Sequence, residues 1–153
     1  MPSPTTHGKG LDIPADGVEF ELTLNDPAPD PIDMVRGDGY SNAADWKYNG
    51  KGATPRTGRF KLMRTGYQPN LARVRQKLGE ENVPEGQWRE AFKKVYPRPD
   101  GKGPIGFADP SWGRPLDLAS FPVLHETGEA WCSNFVWAGL GRHDRWRWLV
   151  ACK

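Results

Sequence analysis

The densest group of side chains able to do acid-base chemistry is His125 with Glu126 and Glu129, in the run HETGE. An imidazole beside carboxylates can take and return a proton near neutral pH, which is what a small hydrolase needs. The same letters make half of the zinc-protease pattern H-E-x-x-H. Position 129 is glutamate, however, no second histidine sits at a supporting spacing, and Gly128 speaks for a turn between strands where that pattern needs a helix. No metal and no cofactor is expected, and a turn with solvated charges is the simpler reading. The two cysteines add little, because a nucleophilic thiol needs a lowered pKa and a base, and nothing adjacent to Cys132 offers one.

A second group suits binding better than turnover. Arg142, His143, Arg145 and Arg147 lie in GRHDRWR, where guanidinium and imidazole groups at a loop tip can hold an anion. Lys51 and Arg56 lie in GKGATPRTG, whose glycines and basic residues could cradle a phosphate through backbone N–H groups, although their order is not that of a P-loop. Arg59 and Lys61 follow, on the wet side of a short strand. Trp112, in DPSWG, stands in a turn flanked by proline and glycine and is expected to be the most exposed aromatic. Asp38, Asn42 and Asp45 do not have the alternate spacing of an EF-hand.

The charge distribution supports an anionic partner. Net charge is only +2, yet residues 1–58 carry five Lys or Arg against nine Asp or Glu, residues 59–102 carry eleven against five, and residues 103–153 five against five. A basic middle block can attract nucleic acid, a nucleotide or an acidic protein surface; it can equally be a solvated face that offsets the acidic first third.

These groups must be positioned by regular elements. Residues 131–152 hold four of the seven tryptophans in two alternating runs separated by GLGRHD, and predict a β-hairpin with Trp137 opposite Trp146 and Phe135 opposite Trp148. That register gathers the aromatics on one face and buries them. Residues 18–24 alternate as a half-buried strand, and residues 59–64, 105–108 and 121–124 read as further short strands. Residues 32–58 read as a long structured loop with Tyr40, Trp46 and Tyr48 as anchors. Two helices are predicted: one from the N-cap Asn70 to the stop at Gly79, with a stripe of Leu71, Val74 and Leu78, and one from about Pro84 to Val95, with Trp88, Ala91, Phe92 and Val95. Their lengths suit a helix-turn-helix, but the second begins Glu85-Gly86-Gln87, a poor base-reading surface.

The sequence therefore predicts a flexible arm over residues 1–17 and one α+β domain over 18–153: an antiparallel sheet of about five strands, two central helices packed on one face, and long Gly/Pro-rich loops. Two cysteines, no basic-then-apolar leader and no apolar run long enough to span a bilayer point to a soluble, cytoplasmic protein. The expected function is a non-catalytic binding module that engages an anionic partner through the basic block and turn-displayed aromatics. A small hydrolase using His125 and Glu126 is the first alternative, and a tryptophan-based carbohydrate binder the second.

Overall fold

The structure, a computed structural model, describes residues 11–116 and 118–152. The chain is α+β, as expected, but its sheet is larger and differently wired. Eight strands are present among the described residues: β1 (Phe20–Leu24), β2 (Lys47–Tyr48), β3 (Arg56–Met63), β4 (Ile105–Gly106), β5 (Trp112–Arg114), β6 (Leu118–Thr127), β7 (Ala130–Trp137) and β8 (Arg147–Ala151). They run in the order β1-β3-β8-β4-β6-β5-β2, with β7 on β6. The β4–β8 pair is parallel and the others antiparallel, so the sheet is mixed, correcting the expectation of about five antiparallel strands.

The predicted hairpin within residues 131–152 does not form. β7 pairs along its length with β6, whereas β8 lies between β3 and β4. The hairpin instead turns at Gly128-Glu129, between the paired residues Thr127 and Ala130; Gly128 has φ +63°, as the first position of a type II′ turn requires. Alternation reports which face a side chain takes, and it is silent on which strand lies alongside.

β6 is the hub. Ser120 pairs with both Trp112 and Trp137, and Val123 with both Gly106 and Asn134, so β4 and β5 share one edge of β6 and β7 takes the other. Pro122 falls at the junction between β5 and β4, and its carbonyl accepts from the Phe107 N–H at 3.1 Å. At that junction the missing proline N–H interrupts no ladder.

Three α-helices accompany the sheet among the described residues: α1 (Pro31–Gly37), α2 (Leu71–Leu78) and α3 (Trp88–Val95). α2 matches its sequence signals. Asn70 accepts the Arg73 N–H at 3.0 Å, Gly79 ends the helix at φ +86°, and Leu71, Val74 and Leu78 are buried. α1 departs from the loop expected over residues 32–58. Yet Asp30 accepts the N–H groups of Ile32 and Asp33 and Pro31 stands in the first turn, the arrangement in which proline starts a helix. A 3-10 turn at Ala43–Asp45 and β2 fill more of the same stretch.

The two central helices cover opposite faces of the sheet, correcting the one-face expectation. Trp88 and Phe92 of α3 pack with Phe60, Leu62, Leu124 and Leu149. Leu71, Val74 and Leu78 of α2 pack with Phe121, Val123, Trp148 and Val150. Leu149 alternates with Trp148 and Val150 along β8, so the clusters lie on different sides. Two helices with a sheet between them are not a helix-turn-helix. A third cluster joins Met34, Val35, Trp46, Trp112 and Phe135 around α1. Residues 11–17 run along the domain, with Leu11 N–H on the Val95 carbonyl and Gly17 N–H on that of Leu62.

Trp112, expected at the surface, is fully buried. Its turn is strand β5, its indole N–H donates to the Pro31 carbonyl at 2.9 Å, and its ring packs on Tyr48 and Phe135. Trp137, expected in the core, is 41% exposed.

Arg89 was assigned to no apolar stripe, and it is completely buried. Its guanidinium grips both carboxylate oxygens of Asp38 at 2.7 and 2.9 Å and donates to the Asn134 carbonyl at 3.2 Å. Burial pushes the Asp38 carboxyl above its usual range against the pull of Arg89, so desolvation offsets much of the pair's attraction. Arg89→Ala should therefore lower unfolding stability by about 3–5 kcal/mol in urea titration, because a lone buried carboxylate remains. The double variant Arg89→Met, Asp38→Leu should cost less than that single change; an equal or larger loss would contradict this account.

Candidate functional site

The loop between β7 and β8 is fastened rather than free. Ala138 N–H bonds to the Ala119 carbonyl and Leu71 N–H to that of Ala138, both at 2.9 Å. Arg142 and Gln68 exchange backbone hydrogen bonds of 3.0 and 2.8 Å in an isolated bridge. This pinning turns the Arg142 side chain inward, where it is 6% exposed.

Three sequence candidates converge there on one ring. The edge of His125 meets Trp146 at 5.5 Å between centroids, His143 lies 6.2 Å from the same ring, and the Arg142 guanidinium sits 5.4 Å from it and 5.3 Å from Phe121. Trp146 is in turn stacked on Trp148 at 5.3 Å. Arg142 donates to the Gly141 and Trp137 carbonyls, but its Nε has no hydrogen-bond partner and no carboxylate pairs with it among the described residues. Its charge is met only by carbonyl dipoles and ring faces. Burial, with the nearby Arg142 and His143, pulls His125 below the usual histidine value and favours its neutral form.

Arg145, next in sequence to Trp146, belongs to a second group of basic residues. Arg64 donates to the Arg145 carbonyl at 2.8 Å and the Lys102 carbonyl at 3.0 Å, which brings three basic residues to one place. His143 is exposed, and its Nδ1 accepts the Arg145 N–H at 3.2 Å. Tyr67, 65% exposed, lies against Gly141, where an added Cβ would stand 2.9 Å from its hydroxyl. The acids at this surface are Asp16, bound to Arg64 at 2.7 Å, the exposed Asp144, and beside Lys102 the half-buried Asp100 and Glu126. The arrangement can hold an anionic group against an aromatic surface.

The remaining candidates disperse. His125 and Glu126 are successive strand residues and point to opposite faces; Glu126 accepts the N–H groups of Gly101 and Gly103 at 2.5 and 2.7 Å, and Glu129 is exposed in the turn. The structure therefore does not bring the acid-base pair together. Arg147 is 1% exposed and bound to both oxygens of Asp100 at 2.7 and 2.8 Å and to the Gly103 carbonyl at 2.6 Å. Burial raises the Asp100 carboxyl, but Arg147 and the Lys102 N–H outweigh it and hold the group below its usual range. Trp112 is buried on the other face. Lys51 lines a separate small cavity. Arg56 sits 5.0 Å over the Trp88 ring, and exposed Arg59 pairs with Glu19 at 3.4 Å. Lys61 is half-buried beside Cys152.

Three ion pairs, Arg59–Glu19, Arg64–Asp16 and Arg89–Asp38, tie the basic middle block to the acidic first third. Three of the block's eleven Lys and Arg are thus paired with the first third. Arg64, Tyr67 and Lys102 went unnoticed in the sequence because their partners lie 38 residues or more away. The base missing beside Cys132 is also across a strand. His125 is its direct partner in the β6–β7 register, a position that counting back from the Gly128-Glu129 turn would have located.

Among the described residues no three His, Cys, Asp or Glu side chains gather as metal ligands, and no helix is long and apolar enough to cross a membrane. No protein-family model, curated protein or solved structure matches the chain.

The lowered His125 pKa has a sign that can be checked. Between the folded value and the unfolded value near 6.5, the unfolded chain binds more protons, so stability falls as pH drops below about 6.5 and the loss is complete below the folded pKa. Cys132, Arg142 and His143 face this imidazole, and Glu126 does not. His125→Phe, which keeps a ring on Trp146, should flatten that part of the urea midpoint's pH profile between pH 7.5 and 5; an unchanged slope would contradict the assignment.

Proposed function

We propose that this protein is a non-catalytic binding module for an anionic partner, engaged through the surface formed by Arg64, Lys102, His143 and Arg145 with Tyr67 beside them and Arg142 beneath. The observation that carries this reading is a buried guanidinium, Arg142, with no carboxylate among the described residues, in the same loop as Arg145, whose carbonyl Arg64 bridges to that of Lys102. A buried cation lacking a counter-charge is costly, and a bound phosphate or carboxylate relieves that cost.

Single-stranded nucleic acid fits better than an acidic protein surface. Tyr67 is exposed at the edge of the cations, and bases stack on such rings while phosphates meet the charges. The turn-displayed aromatic of this reading is Tyr67 in place of Trp112. The hydrolase alternative loses its His125–Glu126 pair to the pleat. A carbohydrate reading would rest on Trp137, the one tryptophan more than a third exposed among the described residues.

Fluorescence anisotropy with a labelled oligo-dT tests the proposal. Binding should weaken with salt, with a log-log slope of about −2 for three phosphate contacts on a single strand. The double variant Lys102→Glu, Arg145→Glu should loosen binding by at least about tenfold, as expected when two phosphate contacts are reversed. Affinity that ignores salt, or that survives charge reversal, would overturn it; tighter binding to polyglutamate than to oligo-dT would move the partner to an acidic protein.

A further inference from the structure

The loop that carries Arg142 also holds two exposed rings. Tyr67 lies against Gly141, and Trp137 lies against Gly139, where an added Cβ would stand 2.5 Å from its Cζ2 and 2.7 Å from its Cε2. Neither glycine has a left-handed backbone, so no turn demands them; each is small because a ring rests on it. The two places are joined by backbone. Residues 68–71 run beside residues 138–142, through the Gln68–Arg142 bridge at one end and the Leu71 N–H on the Ala138 carbonyl at the other. Three residues of chain span at most about 11 Å, so both rings lie within reach of one short single strand. The Trp137 carbonyl also accepts Arg142 Nη2, which ties the second ring to the buried guanidinium.

Trp137 is set apart from the other tryptophans. Each of the other six has a ring partner or an acceptor for its indole N–H. Trp137 has neither among the described residues, and it is 41% exposed. It lines a cavity of about 420 Å³ together with Pro110, Ala119, Asn70, Arg75 and Glu80. At ~30 Å³ per water the cavity has room for about fourteen waters, ample for one flat heterocycle.

The charges in that cavity cancel. Arg75 is its one cation among the described residues, and it gives Nε to Glu80 at 3.0 Å and Nη1 to the Ala108 carbonyl, so no cation is in surplus for a phosphate. What remains is polar but neutral. Asn70 caps α2 through Oδ1, and among the described residues its Nδ2 has no acceptor and the second carboxylate oxygen of Glu80 has no donor. A donor and an acceptor beside an open indole suit the edge and the face of a nucleobase.

Resting on the reading of the Arg145 surface as a site for single-stranded nucleic acid, we infer that Trp137 is a second stacking position of that site. One base packs on Tyr67 and another enters the cavity on Trp137, while the phosphate contacts stay with Lys102 and Arg145. Stacking in a neutral cavity adds affinity without adding phosphate contacts, so its share of the binding does not change with salt.

The test is an anisotropy titration of labelled oligo-dT across a salt series, paired with the tryptophan Nε1–H signals in ¹H–¹⁵N spectra of the full chain. The Trp137 signal should shift with saturation, and that of the buried Trp112 should stay in place. Trp137→Ala should loosen binding about tenfold, within the worth of one base–ring stack, with the log-log salt slope still at about −2. Trp137→Tyr, which keeps a ring, should recover most of that loss. Salt-dependent binding that is indifferent to Trp137→Ala and leaves the Trp137 signal unmoved would overturn this inference while the Arg145 surface stands. A chain that does not bind oligo-dT at all would overturn both. Loss of the salt slope in Trp137→Ala would reduce the ring to a support for the cationic surface, and saturating Trp137 shifts with cellohexaose but none with oligo-dT would give the cavity to a carbohydrate; either result sinks the inference.

Discussion

Buried guanidinium groups organise this molecule, and each has to be given an opposite charge or its equivalent because an unpaired buried cation is strongly destabilising. Arg89 is the first case. It joins α3 to Asp38 at the end of α1 and to the β7 backbone, and its guanidinium lies 5.2 Å over Phe135, so one side chain links the core under α3 to the cluster around α1. Arg147 is the second, binding Asp100 and Gly103 and so fastening the proline-glycine segment before β4 onto β8. Arg142 is the third, and it alone of the three has no carboxylate among the described residues. Its charge is met instead by two backbone carbonyls and the faces of Phe121 and Trp146.

The aromatic residues serve this arrangement more than they serve the surface. Trp146 and Trp148 stack to make a wall on which Arg142 and the two histidines rest, Trp88 carries Arg56, and Trp46 carries Arg114 at 5.0 Å. Ring faces are inexpensive neighbours for a guanidinium because the quadrupole attracts the charge without needing a hydrogen-bond acceptor. A chain with a modest apolar share and seven tryptophans can in this way hold several charged groups inside a mixed sheet.

Local physics was legible in the sequence and long-range pairing was not. α2 could be read to its caps because Asn70 and Gly79 act within one turn of the helix, and Phe60 and Leu62 could be placed on a buried face because alternation is a property of a single strand. The neighbours of β7 and β8 could not, since two alternating runs joined by a short polar segment look like a hairpin whether or not other strands compete for their edges. Arg89 was hidden because its partner is 51 residues away, and a charged residue beside an apolar stripe reads as solvated by default. Proline and glycine on either side of Trp112 suggest a displayed turn, whereas Gly113 is itself part of a short strand filling the edge of β6 beside β4. Of the candidate site, His125, Arg142, His143 and Arg145 were named from the sequence, and their common meeting point on Trp146 and Arg64 required the fold.

The central proposal is that Arg142, which has no carboxylate among the described residues, answers to a bound partner, whereas Arg89 and Arg147, each held on an aspartate, do not. The most direct measurement is the ¹H–¹⁵N spectrum of the arginine Nε–Hε groups during titration with oligo-dT. The account predicts that the Arg142 signal shifts with saturation while those of Arg89 and Arg147 stay in place. An oligonucleotide that binds without moving Arg142, or that moves all three alike, would contradict it.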